Sequence, residues 1–280
     1  MKIKHLLCFI ALCLFFTPGK AQQLSVMTLR NGATVYIWED KSKPDVFGMI
    51  AFKVGSVDDP EQYTGLAHYL EHVMFKGTQT IDALDWEKEK PIYEKIIAKY
   101  DERAALSDPA AREAVDKEIN DLTREAAQYA AGNEFSLLVD HMGGQGLNAS
   151  TGYDQTEYHN SFPPSQLEKW LEIYSERLID PVFRGFQTEL EAVYEEYNMY
   201  NDDRGSRMRE FIYEQAFGDH PYARPIIGLP EHLKNPQLSK LIDFYNTWYG
   251  PQNMSIILVG NIDAKEAIPM ILDKFERVPR

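Results

Sequence analysis

Beyond residue 23 the hydrophobic and polar positions first read as strands. Residues 24–30 and 33–39 are rich in strand-forming side chains and flank Asn31-Gly32, a dipeptide that predicts a β-hairpin. Residues 46–54 form a third run, apolar enough for a central strand, and Asp58-Asp59-Pro60 ends it. The period then becomes helical over residues 65–78, GLAHYLEHVMFKGT. Further on, 135–142 reads as a short helix stopped by Gly143-Gly144, and 146–159 as strand, turn, strand. Helical spacing returns over 163–179, where Leu167, Trp170, Leu171, Tyr174 and Leu178 mark a core face, and again over 186–200, 204–217 and 238–249. A buried strand at 254–259 and a helix at 264–275 complete the pattern.

Residues 81–132 stand apart. They are charged, helix-prone and free of glycine until Gly132. Tyr93, Ile97, Tyr100 and Ala104 mark one apolar stripe, and Val115, Ile119, Leu122 and Ala126 another. Ser107-Asp108-Pro109 between them can close one helix and open the next, with Pro109 in the first turn. The expectation is an antiparallel helical hairpin inserted into a larger domain. It serves either as a lid or docking surface, or as a stabilising excursion with solvated charges.

Composition narrows the class. With 44% hydrophobic and 26% charged residues, 280 residues can bury a real core beneath a charged surface. Residues 1–21 have the form of a secretory signal peptide: Lys2 and Lys4, an apolar stretch over 6–16, and a small residue at Ala21. Both cysteines, Cys8 and Cys13, fall inside it, so no disulfide is expected in the mature chain. Removing this segment, with three lysines and no acids, takes the formal charge from −14 to −17. So acidic a protein is a poor partner for nucleic acid or an anionic membrane.

The candidate chemistry lies within 65–78. At about 100° per residue, His72 falls about 40° from His68, and Glu71 about 60° to the other side. Three ionisable groups thus share one narrow face of an otherwise apolar helix. Burying them unpaired is costly. Neighbouring side chains could satisfy them, but a divalent metal does so more completely, and zinc suits two imidazoles with oxygen donors. The order H-x-x-E-H is that of the inverzincins.

With its flanks, this stretch resembles the M16 family of zinc peptidases (pitrilysin, insulin-degrading enzyme, mitochondrial processing peptidase). A second segment supports the resemblance: Glu189-Leu-Glu-Ala-Val-Tyr-Glu-Glu196, where Glu189 and Glu196 lie seven residues apart and so on one helix face. The resemblance implies Glu196 as third zinc ligand beside His68 and His72. It implies Glu189 as an acidic neighbour that supports the site without binding metal. Glu71 is then left free as general base and later acid. Asn148-Ala149, after the glycine pair, resembles the family's edge strand, implying that both residues touch a substrate backbone added to the sheet. Relatives often carry an aromatic where this chain has Ser150. The interval between His72 and Glu196 exceeds the family's usual one by roughly the size of the inserted hairpin.

The expected fold is therefore α+β, of the metallohydrolase type shared by M16 peptidases: a mostly antiparallel sheet packed with helices. The expected organisation is a signal peptide at 1–21 and an M16 amino-terminal domain at 22–280. That domain contains the hairpin at 81–132 and, from about 225, the start of the following M16 segment. The expected function is zinc-dependent endopeptidase action, one Zn2+ per chain, on peptides or unfolded small proteins in the periplasm. A second M16-type half, in cis or in trans, is the expected partner. The competing expectation is a non-catalytic M16-like subunit with a role in assembly.

Overall fold

The computed structural model describes residues 23–279, so the expected signal peptide lies outside the described residues. Among them are six strands: β1 (Gln23–Thr28), β2 (Thr34–Glu39), β3 (Val46–Phe52), β4 (Gln145–Thr151), β5 (Thr156–Phe162) and β6 (Met254–Gly260). They form one sheet in the order β1-β2-β6-β3-β5-β4. Only the β2–β6 pairing is parallel. The architecture is α+β, with a mostly antiparallel sheet.

The Asn31-Gly32 turn is present, but it spans five residues, closed by the Leu29 N–H to the Ala33 carbonyl at 2.8 Å. The Asn31 side chain supplies the reason: it is buried and donates to the Phe275 carbonyl at 2.8 Å. This ties the first hairpin to the far end of the chain.

In β3 every second residue is buried, from Val46 through Gly48 and Ile50 to Phe52, and this face meets helix α5 (Leu167–Glu176). Gly48 leaves space for the Trp170 indole; a Cβ there would lie 2.5 Å from the ring. Helix α5 is shorter than the apolar spacing predicts, because residues Pro164–Gln166 form a 3-10 turn. It packs against α10 (Ala264–Phe275).

Four helices surround the candidate site: α1 (Leu66–Val73), α4 (Glu134–His141), α6 (Phe186–Asp202) and α7 (Arg204–Phe217). A one-turn helix, α8 (Pro230–Leu233), and α9 (Leu238–Trp248) follow. Helix α8 falls in a stretch whose short apolar run gives no periodicity to read.

The insertion consists of α2 (Trp86–Ala105) and α3 (Pro109–Ala126). Asp108 caps α3 by accepting from the Ala111 N–H at 3.1 Å, with Pro109 at the first position. Its neck closes through an isolated bridge between Ala83 and Ala130. Because those ends already meet, the long excursion adds little loop-closure entropy. The buried line of α2 is Ile92, Ile96 and Tyr100: Tyr100 falls as expected, but Ile92 and Ile96 are buried in place of Tyr93 and Ile97, which are half-buried beside them.

Candidate metal centre

Helix α1 is placed by its start. Asp59 accepts from the Gly65 N–H at 2.7 Å and the Ala67 N–H at 2.9 Å, meeting two of the donors that a helix start leaves open. Gly65 has φ +88°, and a Cβ there would stand 2.6 Å from the Ile227 carbonyl oxygen. Ala67, Tyr69, Leu70 and Val73 are buried and fix the rotation of the helix. The remaining face carries His68, Glu71 and His72, and it looks towards α6 and β4.

Helix α6 buries Phe186, Leu190 and Val193. That orientation turns Glu189 and Glu196 to α1. The Glu196 Oε2 lies 3.5 Å from His68 Nε2 and 3.6 Å from His72 Nε2. One donor atom from each of the three residues lies within 4.8 Å of the others. Bonds of about 2.0–2.2 Å to a tetrahedral zinc would set ligand atoms about 3.3–3.6 Å apart. The two nitrogen–oxygen separations therefore suit zinc, and so does a donor set of two imidazoles and one carboxylate.

Glu189 holds the other side of His72. Its Oε2 is 3.4 Å from His72 Nδ1, and its Oε1 is 2.5 Å from Lys76 Nζ. An Nδ1 proton shared with Glu189 leaves Nε2 turned to Glu196 with its lone pair. His68 lacks such a partner: its Nδ1 is buried without a hydrogen bond among the described residues. Glu71 is held at β4, where the Thr151 hydroxyl donates to its Oε2 at 2.6 Å.

These surroundings set the charges. Burial, aided by His72, drives the His68 imidazole down to about 3, so it is neutral at physiological pH. Burial also pulls His72 down, but Glu189, Glu196 and Glu71 outweigh it and the net shift is upward. Burial pushes the Glu71 carboxyl above the ordinary glutamate range, only partly offset by Thr151 and His72. For Glu189, burial raises the carboxyl, but His72 and Lys76 prevail and hold it low.

The centre opens into a solvent-exposed cleft of about 800 Å³. Edge strand β4 forms one wall, with Asn148 and Ala149 both lining the space. Thr151 shares the face of Ala149 by strand alternation. Tyr153 and Tyr213 stack at 5.4 Å and both line the cleft. The glycine pair before β4 serves the helix end, not the cleft. Gly143 takes φ +76° after α4, and a Cβ on Gly144 would lie 2.5 Å from the Val139 side chain.

Two contributors escape a reading of the sequence. Lys76 lies four residues beyond His72, on the same side of the helical run, a spacing that could have flagged it. Thr151 stands in the expected edge strand, but only the packing of β4 on α1 shows its bond to Glu71.

The family model described as insulinase, peptidase family M16, matches residues 34–90 and 120–229. That described as the peptidase M16 inactive domain matches 237–280. The probable zinc protease PqqL of Escherichia coli is 25% identical over 270 residues, covering 92% of this chain and 23% of that protein. The zinc protease PqqE of Helicobacter pylori is 24% identical over 254 residues, 89% of this chain and 46% of that one. The chain thus spans less than half the length of these relatives. Among solved structures, the first half of the periplasmic protease PqqL from Escherichia coli superposes with a TM-score of 0.68 at 25% identity, covering 92% of this chain and 47% of that one. A protease from Helicobacter pylori gives 0.71 at 22% identity, with 92% and 51% covered.

Proposed function

Because the chain belongs to the insulinase family of peptidases, family M16, we propose that it carries the catalytic centre of a zinc metalloendopeptidase. His68, His72 and Glu196 would hold one Zn2+ per chain. The observation that carries this reading is the approach of both Nε2 atoms to the same Glu196 oxygen, at 3.5 and 3.6 Å. Bound there, zinc would act as a Lewis acid that acidifies water and polarises a peptide carbonyl.

The chain's own residues divide the remaining work. Glu71 accepts the proton of the attacking water and returns it to the leaving amine. Its raised affinity for a proton suits both halves of that exchange. Thr151 orients the Glu71 carboxyl by donating to one of its oxygens. Glu189 fixes the tautomer of His72. The outer edge of β4 offers backbone groups on which an extended peptide could add a strand, with Asn148 and Ala149 beside it. A substrate that binds in this way must be extended, which favours peptides and unfolded small proteins.

The curated relatives run well beyond the matched segment. Full activity is therefore assigned to this centre together with a second M16-type half, in cis or in trans, covering the open cleft. The signal-peptide-like pattern of residues 1–21 and the similarity to PqqL, a periplasmic protease of Escherichia coli, support export to the periplasm. No helix of the described residues is long and apolar enough to cross a membrane.

The test is zinc analysis of the purified protein together with cleavage of a quenched peptide, with and without a second half. Stoichiometric zinc with cleavage that Glu71→Gln abolishes supports the reading. Zinc-loaded protein that stays inert with its second half would instead assign the chain a scaffold role.

A further inference from the structure

The helical hairpin of α2 and α3 touches none of the three residues proposed to bind zinc. It does hold, at three successive points, the strap that leads into α6. The Tyr93 hydroxyl accepts from the Phe183 N–H at 3.2 Å. Glu89, with a side chain only 2% exposed, takes a two-pronged ion pair from Arg184 at 2.6 and 2.8 Å. Tyr100 packs edge-on against Phe186, with centroids 4.8 Å apart and planes at 73°. Phe186 begins α6, and on its other side it meets Tyr69 of α1, whose hydroxyl donates to the Phe186 carbonyl.

The ion pair continues towards the centre. A third nitrogen of Arg184, Nη1, donates to the Lys76 carbonyl at 3.2 Å. The Lys76 ammonium lies 2.5 Å from Glu189 Oε1, and Glu189 Oε2 lies 3.4 Å from His72 Nδ1. A chain of polar contacts therefore runs from Glu89 through Arg184, Lys76 and Glu189 to an imidazole of the site. Glu89 also solves a local problem. Arg184 sits just ahead of the start of α6, where an unpaired cation opposes the helix dipole.

We infer that the inserted hairpin is a positioning element for the metal centre, with Glu89 setting the separation of α1 and α6 through Arg184, Lys76 and Glu189. Tyr93 and Tyr100 are its second and third anchors. The M16 family model leaves residues 91–119 unmatched, so the anchors Tyr93 and Tyr100 lie outside the matched segments, while Glu89, Arg184, Lys76 and Glu189 lie inside them. The inference rests on the zinc reading above, because the residues it positions are those assigned to hold the ion.

Zinc affinity of the whole chain, measured by competition with a chromophoric chelator, tests it. Glu89→Gln should weaken zinc by about tenfold, the lower end of what loss of an outer partner costs a metal site. Val115→Ala, which opens the buried side of α3 away from the polar chain, should lower the melting temperature and leave zinc affinity unchanged. Lys76→Met should weaken zinc and also shrink the effect of Glu89→Gln, since both act through Glu189; non-additivity is the signature of that coupling. Should Glu89→Gln fail to fold, the double variant Glu89→Gln/Arg184→Gln removes both charges together and carries the same expectation. Wild-type affinity in the Glu89 variant, equal losses in Glu89→Gln and Val115→Ala, or strictly additive effects would each overturn the inference. Wild-type protein that takes up no zinc would overturn the zinc reading itself, and this inference with it.

Discussion

The Thr151 hydroxyl donates to Oε2 of Glu71 at 2.6 Å, joining the last residue of the edge strand to the acid of the motif helix. This bond favours the ionised form of a carboxyl that burial pushes the other way. Thr151→Val should therefore raise the Glu71 pKa further. The acidic limb of the cleavage-rate profile should move to higher pH, because the base must be ionised to act. A pH–rate profile of kcat/KM reads this directly, and an unmoved limb would separate Thr151 from the chemistry.

Glu71→Gln keeps the shape of the side chain and removes its basicity. Cleavage should fall by about 10²–10⁴-fold, the usual contribution of a general acid–base. Zinc content should stay at one per chain, since Glu71 is not among the proposed ligands. Atomic absorption beside a peptide assay checks both halves. Full-rate cleavage by the zinc-loaded variant would remove Glu71 from its role.

Glu196 is the proposed ligand contributed by α6, and zinc would bind the folded chain across two helices. Adding zinc at about a thousandfold over its dissociation constant should stabilise the fold by about 4 kcal/mol. The melting temperature of the wild-type protein should rise with zinc and fall again with a chelator. Glu196→Ala should show neither change. A zinc-dependent rise that survives this substitution would place the ion elsewhere.

The two imidazoles differ in what they release. Burial holds His68 neutral down to about pH 3, whereas the surrounding carboxylates raise His72 above its ordinary value. Zinc uptake at a pH below the raised His72 value should therefore expel a proton from His72, and above about pH 3 none from His68. Affinity should rise with pH until the raised His72 pKa is passed. In the metal-free protein the two linkages oppose each other. The raised His72 contributes stability below its unfolded pKa, and that contribution is lost as pH rises through the folded value. The depressed His68 contributes above its unfolded pKa and loses that as pH falls towards about 3. Calorimetry in buffers of different ionisation enthalpy counts the protons, and release of two per zinc would contradict the assignment.

Gly65 stands where α1 meets the 227–228 loop. Gly65→Ala places a Cβ 2.6 Å from the Ile227 carbonyl at φ +88°. Strain of this kind costs about 1–3 kcal/mol. Denaturant unfolding should show that loss, and zinc affinity should fall as α1 shifts. A variant as stable as wild type would mean that the loop yields.

Much of this protein is legible in its sequence. Short apolar runs mark β3 and β6 as central strands, and both lie inside the sheet with a neighbour on either side. Helical spacing sets His68, Glu71 and His72 on one face before any tertiary contact is known. Asp108-Pro109 announces the start of α3 by local chemistry alone. What local pattern could not decide was everything that depends on two segments meeting. The parallel pairing of β2 with β6 joins residues more than two hundred positions apart, and no turn signal links them. Tyr100 of the expected α2 stripe is buried, but Tyr93 and Ile97 are apolar enough to read as core while the packing against the rest of the domain turns Ile92 and Ile96 inward. Glu89 reads as one more surface acid in a charged helix until Arg184 arrives from the far side of the fold. The distance from Glu196 to two imidazoles more than a hundred residues earlier belongs to the same class: helical periodicity fixes which way a side chain faces, and only the packing of α6 on α1 fixes what it faces.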